Sequence, residues 1–381
     1  MIKPFEFILP TKIIFGSGEV KKLKEVLKEK NPKKVMIVTD PNLRNIEVFK
    51  KLEKQLKDYK YVVFDEVEPN PKDYNVEKGA EFAVKEKVDL IIAFGGGSPI
   101  DAAKVISLIA AQGGDVKSYM DKKIEIEKAL TFIAIPTTAG TGSEVTFSSV
   151  ITDTEEKFKY TIKSPLIAAD VAIIDPELTL SLPKSITATT GMDALTHAIE
   201  GYTALCTEPI AESVGLSAVS YITKYLEEAV KNGDNIKARE NVMMGSLLAG
   251  LSFSHSDVAA VHCMAEALGS IYDSPHGTCN SVLLPYVMEY NLPETTDKYA
   301  SIAREMGIEG KDNLEVAKKG IEKIKKLSKS IGLPDFKSLN VSPDDFEKLS
   351  EMSEKNGSTP SNPRTIKKEQ YLEVFKKAYT G

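Results

Sequence analysis

Leu90-Ile91-Ile92-Ala93-Phe94-Gly95-Gly96-Gly97-Ser98-Pro99-Ile100-Asp101 joins an unbroken apolar run to three glycines and the opening of a helix. A run without polar alternation reads as a strand buried on both faces, as in a parallel sheet covered by helices on each side. The glycines let the backbone turn sharply and approach a ligand closely, because no Cβ intervenes. Ser98 is placed as an N-cap, Pro99 as the first helical residue and Asp101 as the returning member of a capping box. Free N–H groups and the positive end of the helix dipole would then face the loop, which suits a pyrophosphate. A well-capped strand-to-helix turn without a ligand has the same composition, and the spacing is not the G-x-G-x-x-G of a standard Rossmann site.

The flanking sequence repeats the pattern. Val35–Val38, Tyr61–Phe64 and Phe132–Ile135 read as strands, and Val76–Lys87 and Asp101–Ala111 as helices between them. An additional strand or hairpin is expected near Phe7–Phe15. After about Asp175-Pro176 the pattern changes, and from Lys184 onward only helical spacing is convincing, over Ile210–Lys231, Ala238–Phe253, Val316–Ile331 and Ile366–Tyr379. The expected fold is therefore α/β followed by all-α: an N-terminal parallel-sheet domain over residues 1–183 and a C-terminal all-helical domain over 184–381.

A second small-residue loop, Pro136-Thr137-Thr138-Ala139-Gly140-Thr141-Gly142-Ser143-Glu144-Val145-Thr146, follows the strand ending at Ile135. Two such loops at the ends of neighbouring strands favour a bound dinucleotide over two unrelated polar turns. Asp40 ends the first strand, where a carboxylate accepts hydrogen bonds from the adenosine ribose and repels a 2′-phosphate, favouring NAD. It serves equally well as the first residue of the Asp40-Pro41-Asn42 turn.

Composition narrows the class. Of 381 residues, 42% are hydrophobic and 27% charged, with a net charge of −6, as in ordinary globular proteins. No basic block points to nucleic acid, and no apolar run is long enough to span a membrane. Three cysteines are too few for a disulfide framework, so a reducing cytoplasm is expected.

The four histidines stand out by their scarcity. Asp193 and His197 are four apart and share a helix face. His262 lies in an apolar helical stretch and His276 in a Ser-Pro-His-Gly turn. One carboxylate and three imidazoles suit a divalent first-row ion with an open position for substrate. Taken singly, each has an ordinary alternative: a helix-surface pair, a satisfied core histidine and a turn residue.

These motifs, with Phe15-Gly16-Ser17-Gly18, Gly191–Tyr202, Pro275-His276-Gly277 and Asn362-Pro363-Arg364, stand in one order. In them the chain resembles the iron-containing (group III) alcohol dehydrogenases along nearly its whole length. The resemblance implies a dehydroquinate synthase-like architecture, with a nucleotide-binding sheet domain, a helical metal-binding domain and the active site in the cleft. It implies metal ligation by Asp193, His197, His262 and His276, with Fe2+ ahead of Zn2+. It implies NAD contacts from Asp40, Asn70, Gly96, Gly97, Ser98, Thr137, Thr138, Thr141, Ser143 and Lys163, and a substrate pocket lined by Phe253. The implied reaction is hydride transfer between NAD(H) and a small primary alcohol or aldehyde, by a cytoplasmic homo-oligomer. Where many members carry a further histidine, this chain has Glu266, a candidate proton relay or hydrogen-bond partner of a metal ligand; His255 is the other candidate. Competing readings are a polyol dehydrogenase, a maleylacetate reductase or a hydroxyacid-oxoacid transhydrogenase on the same scaffold, and a non-catalytic nucleotide-binding protein.

Overall fold

A computed structural model describes residues 4–381. The strands are β1 (Lys12–Phe15), β2 (Val35–Val38), β3 (Tyr61–Phe64), β4 (Leu90–Gly95), β5 (Thr131–Pro136), β6 (Ser148–Asp153), β7 (Phe158–Lys163) and β8 (Val171–Ile174). The helices begin with α1 (Leu23–Lys30), α2 (Pro41–Arg44), α3 (Glu47–Glu53), α4 (Asp73–Glu86), α5 (Gly97–Gln112) and α6 (Val116–Met120). They continue with α7 (Lys184–Thr203), α8 (Pro209–Lys231), α9 (Ile236–His255), α10 (Ala260–Tyr272), α11 (His276–Glu305), α12 (Asn313–Ser330), α13 (Phe346–Lys355) and α14 (Lys368–Thr380).

Six strands form one parallel sheet in the order β1-β8-β5-β4-β2-β3. Alternation of side chains divides each apolar run between two cores. Met36, Val38, Ile91, Ala93, Phe132 and Ala134 pack with α4, α5 and α6 on one face. Val35, Ile37, Leu90, Ile92, Ile133 and Ile173 pack with α1 and α3 on the other. Burial on both faces is why these strands show no polar alternation. The chain runs outward from β2 to β3, then returns past β2 to β4 and continues the opposite way. The carboxyl ends of β2 and β4 therefore flank a topological switch point, where open α/β sheets bind ligands.

Three details refine the sequence reading. Of the strand or hairpin expected in the opening segment, the structure has a single strand, β1, which pairs in parallel with β8. β8, four buried apolar residues, and the partly polar antiparallel β6–β7 hairpin are strands the sequence reading did not single out. The cap of α5 also differs: Gly96, in extended conformation, is the N-cap, and no side chain caps the helix. Ser98 and Pro99 fall inside the first turn. Asp101 points to β6 and the loop before it, accepting from Val150 N at 3.0 Å and from the Ser143 hydroxyl. Because the helix begins at Gly97, its leading N–H groups have no side-chain cap among the described residues.

The contacts divide the chain into two units: Ile8–Thr138 with Ser143–Ser181, and Leu182–Gly381 with Ala139–Gly142 and the segment ending at Phe7. The second unit is helical. Its α7 is buried along most of its length, flanked by α8 and α9, so polar residues on its inner face are withheld from water.

Candidate metal centre and nucleotide cradle

In the helical unit, α7 carries Asp193, His197 and Glu200 at spacings of four and three, which place them on one face. His262 comes from the first turn of α10, and His276 opens α11. Gly277 permits their approach: a Cβ there would stand 2.4 Å from the Thr189 carbonyl oxygen of α7, so only glycine lets the first turn of α11 lie this close.

Ligand atoms of Asp193, His262 and His276 lie within 4.8 Å of one another. His197 stands beside this trio, its ring centroid 4.4 Å from that of His262 and its Nδ1 3.8 Å from Asp193 Oδ2. That Nδ1 is buried and finds no hydrogen-bond partner among the described residues, an orphan polar atom of the kind a bound cation satisfies. Asn280, one turn beyond His276, directs its amide nitrogen to Asp193 Oδ1 at 2.7 Å, His262 Nε2 at 3.1 Å and His276 Nε2 at 3.2 Å. Two N–H bonds cannot serve three acceptors equally, so these lone pairs converge on one point. The donor set and its convergence fit a divalent first-row ion.

Burial pushes His197 down to about 3, keeping it neutral. Burial also opposes charge on His262, but the hydrogen bond and negative charge of Glu200 outweigh it and hold its pKa above the ordinary value. Glu200 Oε2 lies 2.5 Å from His262 Nδ1. The structure thus places the Glu200 carboxylate behind a candidate ligand, and the negative charge of Glu266 also acts on His262. Glu266 is half-buried and accepts from Asn356 Nδ2 at 2.5 Å. Sequence reasoning passed over Glu200, although its place seven residues after Asp193 was a legible signal. His255 bonds through Nδ1 to Leu251 O at 2.9 Å and stacks on Phe7, with centroids 3.8 Å apart.

In the sheet unit, Asp40, the Gly96-Gly97-Ser98 turn and Thr137-Thr138 lie at the carboxyl ends of the adjacent strands β2, β4 and β5. Asp40 Oδ1 accepts from Asn42 N and Leu43 N at 2.9 and 3.0 Å, capping α2. A Cβ at Gly96 would stand 3.1 Å from Thr138 Oγ1, so the two loops meet closely. Thr141 groups with the helical unit. Ser143 is buried, its hydroxyl donating to Asp101 and accepting from Lys104 Nζ at 2.9 Å. Asn70 has a left-handed backbone, with φ 52°. Its Oδ1 accepts from Nζ of Lys159, a buried lysine, at 2.8 Å. Lys163 is exposed at the end of β7, with Nζ 5.2 Å from the Phe147 ring centre. Lys159 is thus a buried lysine beside Asn70 that the sequence reading did not single out.

Family models described as "Iron-containing alcohol dehydrogenase" and "Fe-containing alcohol dehydrogenase family, C-terminal" match residues 10–176 and 187–379. The chain is 40% identical to the 1,3-propanediol dehydrogenase of Citrobacter freundii, over 98% of its own length and 99% of that protein. It is 34% identical to the NAD-dependent methanol dehydrogenase of Bacillus methanolicus, over 98% and 99% of the two chains. Its fold superposes on an alcohol dehydrogenase from Oenococcus oeni with a TM-score of 0.95 at 37% identity, covering 99% of this chain and 100% of that one. With both halves matched by one family and full-length relatives well above 30% identity, this chain belongs to the iron-containing alcohol dehydrogenase family.

Proposed function

We propose that this protein moves a hydride between a small primary alcohol or aldehyde and NAD(H) at a divalent metal centre held by Asp193, His197, His262 and His276. The observation that carries the reading is the convergence of Asp193, His262 and His276 donor atoms within 4.8 Å, in a chain of this family. Residues 184–381 supply the metal centre and residues 1–183 the cofactor site.

When bound, the metal supplies Lewis acidity toward the substrate oxygen and NAD+ accepts the hydride. The protein's part is to hold both. His197, kept neutral by burial, retains a lone pair for the ion. The uncapped first turn of α5 offers backbone N–H groups of Gly97 and Ser98 to the pyrophosphate, beside Gly96, Thr137 and Thr138. Asp40 faces the adenosine ribose, Asn70 and the exposed Lys163 bind polar groups of the cofactor, and Thr141 contributes from its loop. Ser143 contributes from the same loop, its hydroxyl oriented by donation to Asp101. Phe253 lines the substrate pocket. A homo-oligomer in a reducing cytoplasm accords with the family reading and with three cysteines, too few for a disulfide framework.

The test is an anaerobic one. Metal-free protein is loaded with Fe2+ or Zn2+ and assayed for NADH formation with methanol, 1-propanol and 1,3-propanediol, using NAD+ and NADP+. Turnover that needs the metal and prefers NAD+ is expected. Cofactor binding without turnover by any metal-loaded form would overturn the proposal.

A further inference from the structure

We propose that Glu200 is a positioning residue of the metal centre, fixing the His262 ring with its proton on Nδ1 so that the Nε2 lone pair faces Asp193 and His276. The inference rests on reading that cluster as the metal site.

Two sides of the same ring carry the argument. On one side Nδ1 meets the Glu200 carboxylate at 2.5 Å, and an ionised carboxylate only accepts hydrogen bonds, so the proton belongs on Nδ1. On the other side Nε2 meets the Asn280 amide nitrogen at 3.1 Å. That amide is oriented by Asp193: its nitrogen, not its oxygen, must face Oδ1 at 2.7 Å. An amide nitrogen only donates, so Nε2 must offer its lone pair.

Glu200 is itself held in place. Oε2 accepts from Ala259 N at 2.9 Å and Oε1 from Val261 N at 2.7 Å. Those N–H groups belong to the entrance of α10, where Ala259 is the N-cap and supplies no side-chain cap. A carboxylate from α7 therefore does the work of a missing cap and is favoured by the positive end of the helix. One side chain ties together α7, the start of α10 and the ring that α10 presents. A carboxylate behind a histidine ligand fixes its tautomer and orientation and raises its basicity, and removing such a partner typically costs 10- to 100-fold in metal affinity.

Zinc affinity of the metal-free protein, measured against a chromogenic chelator, tests this in wild type, Glu200→Gln, His262→Gln and the double variant. Glu200→Gln is expected to lose about 10- to 100-fold and to alter the visible absorption of the Co2+-loaded protein. In the His262→Gln background the same change should add little, because Glu200 acts through that ring. Unchanged affinity and spectrum in Glu200→Gln, or an equal further loss in the double variant, would leave Glu200 a helix cap alone and overturn the proposal. If Glu200→Gln does not fold, nitrogen-15 NMR of zinc-loaded wild type decides: a His262 proton on Nδ1 supports the proposal, and one on Nε2 refutes it. Wild type that binds no zinc refutes the metal-site reading as well, so the two failures are told apart.

Discussion

His197 lies face to face with Phe253, ring centroids 4.3 Å apart and planes 22° from parallel. One face of a candidate metal ligand is thus covered by a half-buried aromatic ring at the site. Phe253→Ala should open space beside His197 and admit bulkier alcohols. The ratio of kcat/KM for benzyl alcohol over 1-propanol is expected to rise roughly 10-fold or more, since small changes in an apolar pocket are worth about 1–3 kcal/mol. An unchanged ratio would remove Phe253 from the substrate pocket.

Asp193 draws together His197, His276 and the Asn280 amide. In Asp193→Asn, turnover should fall by at least about 100-fold. Zinc at roughly 100 times its Kd should stabilise wild type by about 2.7 kcal/mol against urea and leave the variant unmoved. Equal zinc stabilisation of both would exclude Asp193 as a ligand.

Asp40 does two things, capping α2 and, on the proposal, selecting NAD. Asp40→Ser separates them, since serine keeps an N-cap oxygen but removes the charge. The preference for NAD+ over NADP+ should narrow by about 10-fold, near 1.4 kcal/mol, with stability little changed. Asp40→Ala should cost about 1 kcal/mol of stability in addition. Retained selectivity in both variants would reduce Asp40 to a cap.

The two lysines of β7 make a clean contrast. Lys163→Met should raise the KM for NAD+ several-fold, because on the proposal it removes a cation that meets the cofactor. Lys159→Met removes a buried lysine that reaches Asn70 and acts only through it, so its effect should be smaller. Steady-state kinetics at saturating alcohol would show the reverse order if the buried lysine binds the cofactor.

In and beside the second small-residue loop, burial raises Glu144 to about 7 and lowers Lys104 to about 8. For Glu144 the native state holds its proton more tightly than the unfolded chain, whose carboxyl titrates near 4.5. Its contribution to stability is therefore full below that pH and lost as pH rises through about 7. Urea midpoints of wild type relative to Glu144→Gln should fall between pH 4.5 and 8. Lys104 acts in the opposite sense at higher pH: relative to a Lys104→Met variant, wild type should gain stability as pH rises from about 8 toward 10.5. A flat wild-type-to-variant difference across either window would contradict the corresponding shift.

The strands β2 to β5, the glycine turn and the helical second half were legible because they rest on local rules. Burial on both sheet faces writes an unbroken apolar run, a tight turn needs glycine, and helix packing repeats near every 3.6 residues. The motif order placed Asp193, His197, His262 and His276 in one family pattern before any distance was known. Tertiary structure alone decided the rest. Glu200 reaches a ring 62 residues away, Lys159 finds an asparagine 89 residues away, and the α5 cap moves to Gly96 while Asp101 turns to β6. Hydrogen bonds and burial between segments distant in sequence leave no period in the chain, since they depend on which surfaces meet only after it has folded.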